Sequence, residues 1–359
     1  MSNNAVVFEE WAVTGGRVAV ARLNAPKSLN ALSLDMIRLL TPKLRQWQQD
    51  DKVLAVWLDA EGDKAFCAGG DIVALYRDMI EPQPAGQRAG LGQAFFTEEY
   101  ELDQLIHSFG KPVVCWGHGI VMGGGLGIMV GASHRVVTER SMIAMPEVSI
   151  GLYPDVGAGW FLNRMPGRTG LFLGLTGARM NAADAIFLGL ADRFIGHERK
   201  AEVVAALQNA DWQQADASVV LNRVLRQFEQ DSAVSRPDSP VRDNFDAINR
   251  LTDADSLDQL VVQLKGVDGD SEWLQKAVRA LAGASPTAQM LFWRHLTLAR
   301  TMSLSEVFEL ELGLSLKCLS KGEFAEGIRA LLIDKDQQPR WRYSSLNDID
   351  PAWIDDFFH

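Results

Sequence analysis

Residues 118–159 decide the fold and carry most of the candidate chemistry: HGIVMGGGLGIMVGASHRVVTERSMIAMPEVSIGLYPDVGAG. An uninterrupted glycine run occupies residues 123–125. Two acidic residues follow it: Glu147 comes after Met-Pro, and Asp155 comes after Tyr-Pro eight residues later. We interpret the glycines as sources of backbone hydrogen-bond donors and the two acids as the reacting groups.

The glycine run is typical of a turn between a strand and a helix. Apolar residues 113–115 predict a short buried strand before it, and residues 128–130 predict an apolar helix after it. Such a turn leaves unpaired N–H groups at the helix start, which can bind a phosphate or a developing oxyanion. Without Cβ atoms a ligand can approach that backbone closely, although glycines in such turns also serve tight packing alone. The spacing matches neither a P-loop nor a GxGxxG motif.

Composition excludes several classes of protein. The chain has 359 residues, enough for one large domain or a domain with an appendage, and its net charge of −11 argues against a nucleic-acid partner. Three widely spaced cysteines, Cys67, Cys115 and Cys318, form neither a disulfide framework nor a zinc pattern. The N-terminus lacks a basic segment before an apolar run, and no window is apolar enough to span a membrane. We therefore expect a cytoplasmic protein without a metal or a membrane partner.

Strands and helices alternate over the first half of the chain. A second glycine loop, residues 64–72, again leads into a helical pattern. Strands are predicted at residues 6–8, 18–22, 54–58, 135–137 and 142–144, and helices at 34–47, 72–79, 95–109, 168–176 and 181–188. This alternation predicts an α/β fold with a parallel sheet that is covered by helices.

Beyond about residue 200 the strand signal ends. Amphipathic helices are predicted at residues 203–208, 219–228, 257–264, 273–281, 288–298, 304–319 and 324–332. Earlier in the chain, residues 82–92 are rich in proline and glycine and are predicted to form a mobile loop. We divide the chain into an α/β core, residues 1–195, and a helical C-terminal region, residues 196–359.

Two glycine loops followed by Pro-Glu, in this order, resemble the crotonase (enoyl-CoA hydratase/isomerase) superfamily. Four segments carry the resemblance: NAPKSLNAL at 24–32, FCAGGDI at 66–72, HGIVMGGG at 118–125 and LTGAR at 175–179. The resemblance implies a ClpP/crotonase-like fold of stacked ββα turns that binds acyl-CoA thioesters. It also implies that the backbone N–H groups of Gly70 and Gly124 form an oxyanion hole.

Three positions make the chain most similar to the branch of that superfamily that hydrolyses 3-hydroxyisobutyryl-CoA. Gly127 stands where hydratases carry a glutamate, whereas Glu147 is kept. Asp155 stands where hydratases commonly have glycine and the hydrolases have aspartate. Glu99 matches a glutamate by which the hydrolases contact their substrate. The resemblance implies conversion of 3-hydroxyisobutyryl-CoA to 3-hydroxyisobutyrate and CoA in valine catabolism, with no cofactor, because CoA is part of the substrate.

Roles for the acidic residues follow from these matches. Glu147 precedes an apolar run, so burial is expected to raise its pKa; it would either deprotonate water or attack the thioester itself. Asp155 would position water or Glu147, or protonate the leaving thiolate, although aspartate is also common in turns. Glu99 would accept a hydrogen bond from a substrate hydroxyl, unless it is a solvated helix glutamate.

The CoA moiety would need local contacts on this acidic protein. Three basic side chains are candidate partners for its phosphates: Lys27, Arg329 and Lys335. By resemblance, the backbone of Ala68, Gly69 and Ile72 lines the path of adenine and pantetheine, and the helical C-terminal region completes or covers the acyl-CoA site.

Two other functions remain open on the sequence. One is an enoyl-CoA hydratase or isomerase, and the other is a non-catalytic acyl-CoA-binding protein. Gly127 argues against a hydratase with two glutamates, and the retention of both Glu147 and Asp155 argues against a silent protein. A homo-oligomer is a further expectation, because crotonase relatives often form trimers.

Overall fold

The computed structural model describes residues 5–81, 90–267 and 271–359. As far as they are described, these residues divide into two compact units, each assembled from three separated stretches of chain. Unit 1 comprises Met1–Gly70, Glu101–Ile143 and Met180–Ser239, and unit 2 comprises Asp71–Tyr100, Ala144–Arg179 and Pro240–His359.

Two sheets hold the strands. The strands are β1 Val6–Val13, β2 Gly16–Leu23, β3 Val53–Ala60, β4 Ala65–Cys67, β5 Val113–Gly117, β6 Ile120–Met122, β7 His134–Val137, β8 Met142–Ala144 and β9 Arg193–Phe194. The larger sheet has the order β1-β2-β3-β5-β7-β9, and the smaller has the order β4-β6-β8. Only the β1–β2 pair of the larger sheet is antiparallel; its other pairs are parallel.

Helices make up most of the remaining structure. They are α1 Leu34–Gln49, α2 Ile72–Ile80, α3 Gly90–His107, α4 Gly124–Gly131, α5 Ala158–Phe161, α6 Thr169–Thr176, α7 Ala182–Leu188, α8 Lys200–Asn209, α9 Ala217–Ser232, α10 Pro240–Asp243, α11 Phe245–Leu251, α12 Leu257–Lys265, α13 Glu272–Gly283, α14 Pro286–Ala299, α15 Leu304–Lys321, α16 Phe324–Ile328 and α17 Pro351–Asp355. Caps explain several of their starts: the Ser33 side chain, for example, accepts a hydrogen bond of 3.2 Å from the N–H of Met36 at the start of α1.

The core of unit 1 lies against the larger sheet. Apolar side chains from β2, β3, β5 and β7 form one buried cluster with side chains of α8 and α9. Within it, the rings of Trp57 and Trp116 stack with their centroids 5.8 Å apart. Strands covered on both faces read as near-continuous apolar runs, which is why β3 and β5 were recognisable from sequence.

The structure confirms the predicted α/β class and the strand–helix alternation, with several differences in detail. The short strands β4, β6 and β9 were not predicted, whereas β8, which also has three residues, was predicted at residues 142–144. Helix α3 begins at Gly90 rather than at residue 95, and residues 82–89 of the predicted mobile loop lie outside the described residues. The predicted helix at 324–332 is α16 followed by a π-helical turn, Arg329–Ile333.

The predicted boundary at residue 195 coincides with the end of β9, while unit 1 continues through α8 and α9 to Ser239. None of the described helices combines the length and the apolar character that crossing a membrane requires. The cytoplasmic location stays a prediction.

Candidate active site

The first glycine loop follows β4 in unit 1. Gly69 adopts a φ of 106°, which favours glycine, and its carbonyl accepts a hydrogen bond of 2.8 Å from the N–H of Leu32. Asn30, fully buried, fixes the neighbouring segment, because its side-chain N–H₂ donates to the carbonyls of Glu61 and Ala65. The loop that carries Gly70 is therefore held by a backbone hydrogen bond at Gly69 and by a side-chain hydrogen bond at Ala65, where β4 begins.

The second glycine loop joins β6 to α4, also in unit 1. Gly123 is the N-cap residue, with φ 47° and ψ −125°, and Gly124 is the first residue of the helix. All eight residues of α4 are buried. The N–H groups of the first helical turn have no acceptor within the helix, so the N–H of Gly124 is available as a donor by geometry. The predicted glycine turn from strand to helix is confirmed, with β6 rather than β5 as its strand.

The two glycine loops touch each other. A Cβ added to Gly125 would lie 2.4 Å from the carbonyl oxygen of Cys67, and one added to Gly69 would lie 3.4 Å from that of Met122. Gly125 therefore serves tight packing rather than ligand approach. The contact brings the loop of Gly70 and the loop of Gly124 together within unit 1, as an oxyanion hole requires.

Glu147 lies in unit 2, at the start of a 3₁₀ turn, Glu147–Ile150, that ends at Gly151 with a φ of 74°. It is only 5% exposed, and its Oε2 has no hydrogen-bond partner among the described residues. Burial raises the pKa of Glu147 well above its usual range, and the nearby charge of Asp155 raises it further. An unpaired buried carboxyl oxygen with a raised pKa is suited to general-base or nucleophilic chemistry.

Asp155 is the second buried carboxyl group of unit 2, and it is 4% exposed. Its Oδ2 accepts a hydrogen bond of 2.6 Å from the hydroxyl of Tyr100. Burial raises the pKa of Asp155 to about 7, with a contribution from the charge of Glu311 and against the lowering effect of the Tyr100 hydrogen bond. Asp155 is thus more than a surface turn residue, and it can exchange a proton near neutral pH.

A chain of buried hydroxyl groups leads away from Asp155. The hydroxyl of Tyr100 lies 2.7 Å from that of Ser315, and the Ser315 hydroxyl lies 2.9 Å from that of Tyr153. Tyr153 in turn donates a hydrogen bond of 2.7 Å to the carbonyl oxygen of Glu311. All of these residues belong to unit 2.

Glu311, on α15, holds the backbone that follows Asp155. Its two carboxylate oxygens accept hydrogen bonds from the N–H groups of Gly157, at 2.7 Å, and Gly159, at 3.1 Å. The Nε2 atom of His295 lies 3.2 Å from Glu311 Oε1 without hydrogen-bond geometry, and both side chains are fully buried. Between them, these contacts fix a turn in which Val156 has an unusual φ of 53°.

These supporting residues were missed in the sequence. A signal existed for two of them: Glu311 and Ser315 are four residues apart and share the buried face of α15 with Val307, Phe308 and Leu314. Polar residues at apolar positions of an amphipathic helix indicate a buried polar network. No comparable signal marks Tyr100, since aromatic residues are common in any core.

Glu99 lies on α3 in unit 2 and is 2% exposed. The alternative of a solvated helix glutamate is therefore wrong, and the substrate-contacting role stays a prediction. Lys27 is exposed beside the first loop, while Ala68 and Ile72 are half-buried. Arg329 is engaged by three acidic residues, Glu326, Asp334 and Asp336, so it is a poor candidate for a CoA phosphate.

Comparison with known proteins identifies the family. The sequence model described as enoyl-CoA hydratase/isomerase matches residues 18–358. The chain belongs to the enoyl-CoA hydratase/isomerase family. Two solved members have the same fold: a carnitinyl-CoA dehydratase from Mycobacterium thermoresistibile, at a TM-score of 0.87 and 32% identity, and an enoyl-CoA hydratase from Rhodobacter sphaeroides 2.4.1, at 0.83 and 35%. In each comparison 99% of this chain and 97% of the other are covered.

Curated family members of similar length carry a different name. The mitochondrial 3-hydroxyisobutyryl-CoA hydrolase of Danio rerio is 40% identical over 353 residues, which cover 98% of this chain and 89% of the relative. The Homo sapiens protein of the same name is 37% identical, with 98% and 88% covered. The resemblance to the crotonase superfamily is confirmed, and it extends through the C-terminal helices.

Proposed function

We propose that this protein hydrolyses the CoA thioester of a short branched 3-hydroxy acid, with 3-hydroxyisobutyryl-CoA as its substrate in valine catabolism. The observation that carries the proposal is the buried pair Glu147 and Asp155, whose pKa values are both raised, in a chain with Gly127 at the place of the second hydratase glutamate. The names of the curated relatives support the same reaction.

The reaction adds water across the thioester bond, R–CO–S–CoA + H₂O → R–COOH + HS–CoA. The carbonyl oxygen gains negative charge when it is attacked, and the N–H groups of Gly70 and Gly124 are the proposed donors to that oxyanion. Removing one such donor typically costs about 3–4 kcal/mol of transition-state stabilisation. Glu99 is proposed to bind the substrate hydroxyl.

Glu147 supplies the nucleophile in either of two ways. As a general base it takes a proton from water, whose oxygen then attacks the carbonyl carbon; as a nucleophile its Oε2 attacks directly and forms an anhydride that water opens. In both routes the C–S bond breaks, and the thiolate leaves with a proton that Asp155 can supply. A pKa near 7 lets Asp155 give up and regain that proton at physiological pH.

Hydration or dehydration of an acyl-CoA is the second candidate. It is favoured by the names of the two solved relatives and by the presence of two buried carboxyl groups, since Asp155 could serve as the second acid. A purely binding function is disfavoured, because keeping two buried carboxyl groups costs stability that a scaffold has no reason to lose.

Release of CoA from a panel of acyl-CoAs tests the proposal. Trapping of the free thiol should show faster turnover of 3-hydroxyisobutyryl-CoA than of acetyl-CoA or crotonyl-CoA, with Glu147→Gln as the inactive control. Equal rates on all three substrates, or hydration of crotonyl-CoA without CoA release, would refute it.

A further inference from the structure

The hydroxyl groups of Tyr100, Ser315 and Tyr153 form a hydrogen-bonded chain that starts at Asp155. When Asp155 is ionised, this chain has fewer hydroxyl protons than oxygen–oxygen contacts. Four contacts run through it: Asp155 to Tyr100, Tyr100 to Ser315, Ser315 to Tyr153, and Tyr153 to the carbonyl of Glu311. Each hydroxyl group carries one proton and can donate once. Three protons are therefore available for four contacts. Tyr100 donates to Asp155 and Tyr153 donates to Glu311, so the single proton of Ser315 can fill only one of its two contacts, and the other contact is not a hydrogen bond.

A proton on Asp155 completes the chain. Its carboxyl group then donates to Tyr100, Tyr100 donates to Ser315, Ser315 donates to Tyr153, and Tyr153 keeps its bond to the Glu311 carbonyl. Every contact now has one proton, and the change requires only that hydroxyl groups rotate. Burial raises the pKa values of Tyr100 and Tyr153 well above their ordinary value, so both phenols keep their protons throughout.

We propose that Tyr100 and Ser315 are positioning residues that hold Asp155 in both of its protonation states. Tyr100 donates to the ionised carboxylate and turns to donate to Ser315 when Asp155 carries the proton. The inference rests on the proposed function in one respect, namely that Asp155 exchanges a proton during turnover.

The packing around Tyr100 keeps its oxygen in place while the proton changes direction. Its ring lies 5.8 Å from Phe96 and 5.7 Å from Phe308, centroid to centroid, and the side chain is 2% exposed. Ser315 is fully buried on α15. The heavy atoms are therefore fixed, and only the hydroxyl protons are free to reorient.

Other titratable groups surround Asp155 without a direct bond to it. They are Glu311 and Cys318 on α15, Glu147 and Tyr153 on the segment that carries Asp155, and His295 on α14 beside Glu311. The negative charge of Glu311 favours the protonated form of Asp155, whereas the Tyr100 bond favours the ionised form. Substitutions of Tyr100 and Ser315 leave all of these charges unchanged.

The proposal predicts that two substitutions, each of which removes one hydroxyl group, shift the pKa of Asp155 in opposite directions. Tyr100→Phe removes the strong bond to the carboxylate and should raise the pKa of Asp155 by about one pH unit, since two or three such bonds lower a carboxyl pKa by about two units. Ser315→Ala removes one hydrogen bond from the ionised state, in which Ser315 only donates, and two from the protonated state, in which Ser315 both accepts and donates. It also leaves the Tyr100 proton without an acceptor in the protonated state, so it should lower the pKa of Asp155.

Two readouts test these shifts. In the pH profile of kcat, the limb that belongs to Asp155 should move to higher pH in Tyr100→Phe and to lower pH in Ser315→Ala, whichever protonation state is the active one. Titration of ¹³Cγ-labelled aspartate by NMR, with the Asp155 signal identified by its loss in Asp155→Asn, measures the same shifts without turnover. Ser320→Ala, an exposed serine on the same helix, is the matched control and should not move the signal.

Shifts in the same direction for both variants, or no shift in Tyr100→Phe, would overturn the inference. General loss of packing cannot produce opposite signs, and circular dichroism checks that each variant is folded. If wild-type protein releases no CoA, the proposed function fails while the NMR titration still decides the role of Tyr100 and Ser315.

Discussion

At the scale of single residues, Glu147 and Asp155 differ in what surrounds them. Glu147 has one buried oxygen for which the described part of the chain offers no hydrogen-bond partner, whereas Asp155 accepts a hydrogen bond from Tyr100. Two carboxyl groups in different environments can divide acid and base roles between them. Under the proposed function, the free oxygen favours attack or water activation by Glu147, and the proton exchange with the leaving group is left to Asp155.

Removing each charge in turn tests this division. Glu147→Gln and Asp155→Asn should each lower kcat more than they weaken substrate binding, by about 10²–10⁴-fold. Glu147→Gln should be the costlier change, because both routes need its carboxylate. Steady-state kinetics with calorimetric binding measure this, and the double variant should be little worse than Glu147→Gln if the two act together. If Glu147→Gln lowers kcat by less than about threefold, the loss is far smaller than the range expected for a general base. Asp155 would then be the better candidate for the base.

The raised pKa of Asp155 also predicts a pH-dependent stability. Its pKa is 3.8 in the unfolded chain and about 7 in the folded protein, so between these values only the folded state keeps the proton. Stability is therefore lost as the pH rises, by about 2–4 kcal/mol above pH 7. Asp155→Asn cannot ionise, so urea unfolding should show the variant to be more stable than wild type at pH 8 and nearly equal at pH 4. A difference that does not change with pH would contradict the buried, proton-holding Asp155.

Glu147, Asp155 and the glycines could be singled out from the sequence because each lies in a short local motif. Tyr100 carries no such signal, and the polar positions of Ser315 and Glu311 on α15 indicate only a buried network, because their roles come from contacts between residues more than fifty positions apart. The hydrogen bond between Tyr100 and Asp155 depends on how α3 and α15 pack, and no local sequence pattern predicts that packing.

At the scale of elements, α15 supports the turn after Asp155. Val156 has a φ of 53°, a conformation that is strained for a β-branched residue and that persists only where its surroundings enforce it. Glu311 does so by accepting the N–H groups of Gly157 and Gly159. A helix of the C-terminal region thus shapes the loop that carries a candidate catalytic residue.

Glu311→Ala should therefore destabilise the fold and lower activity together. It leaves two buried N–H groups without acceptors, at a cost of about 2–5 kcal/mol. Glu309→Ala, an exposed position two residues earlier on the same helix, is the matched control and should change stability by less than about 0.5 kcal/mol. Chemical denaturation measures both, and equal effects of the two substitutions would show that Glu311 does not hold the turn.

Elements with a clear apolar period were predictable, whereas the short strands β4 and β6 were not. The cap at Ser33 and the apolar face of α1 identified that helix closely. The three-residue strands β4 and β6, which lead into the glycine loops, exist because they pair in parallel within the smaller sheet, with a register shift between Ala65 and Cys67. These residues form strands because they pair with each other in the tertiary structure, not because of their intrinsic strand propensity.

At the scale of the whole molecule, the two compact units cut across the order of the chain. The glycine loops belong to unit 1, and Glu147 and Asp155 belong to unit 2, although all of them except the first loop lie within residues 118–159. A linear division at residue 195 follows where strand signals end and cannot represent units built from three stretches each. The family resemblance, which rests on short motifs, was nevertheless sufficient to predict the fold.

The most direct test of thioester hydrolysis is a single turnover of 3-hydroxyisobutyryl-CoA in H₂¹⁸O, analysed by mass spectrometry of the released acid, the thioester and the peptide that contains Glu147. Hydrolysis predicts one equivalent of free CoA and one ¹⁸O atom in a carboxyl group, in the acid if Glu147 activates water, or in either the acid or Glu147 if it forms an anhydride. Label at the C3 hydroxyl of an intact thioester, without release of CoA, would contradict hydrolysis and assign the protein to hydration chemistry.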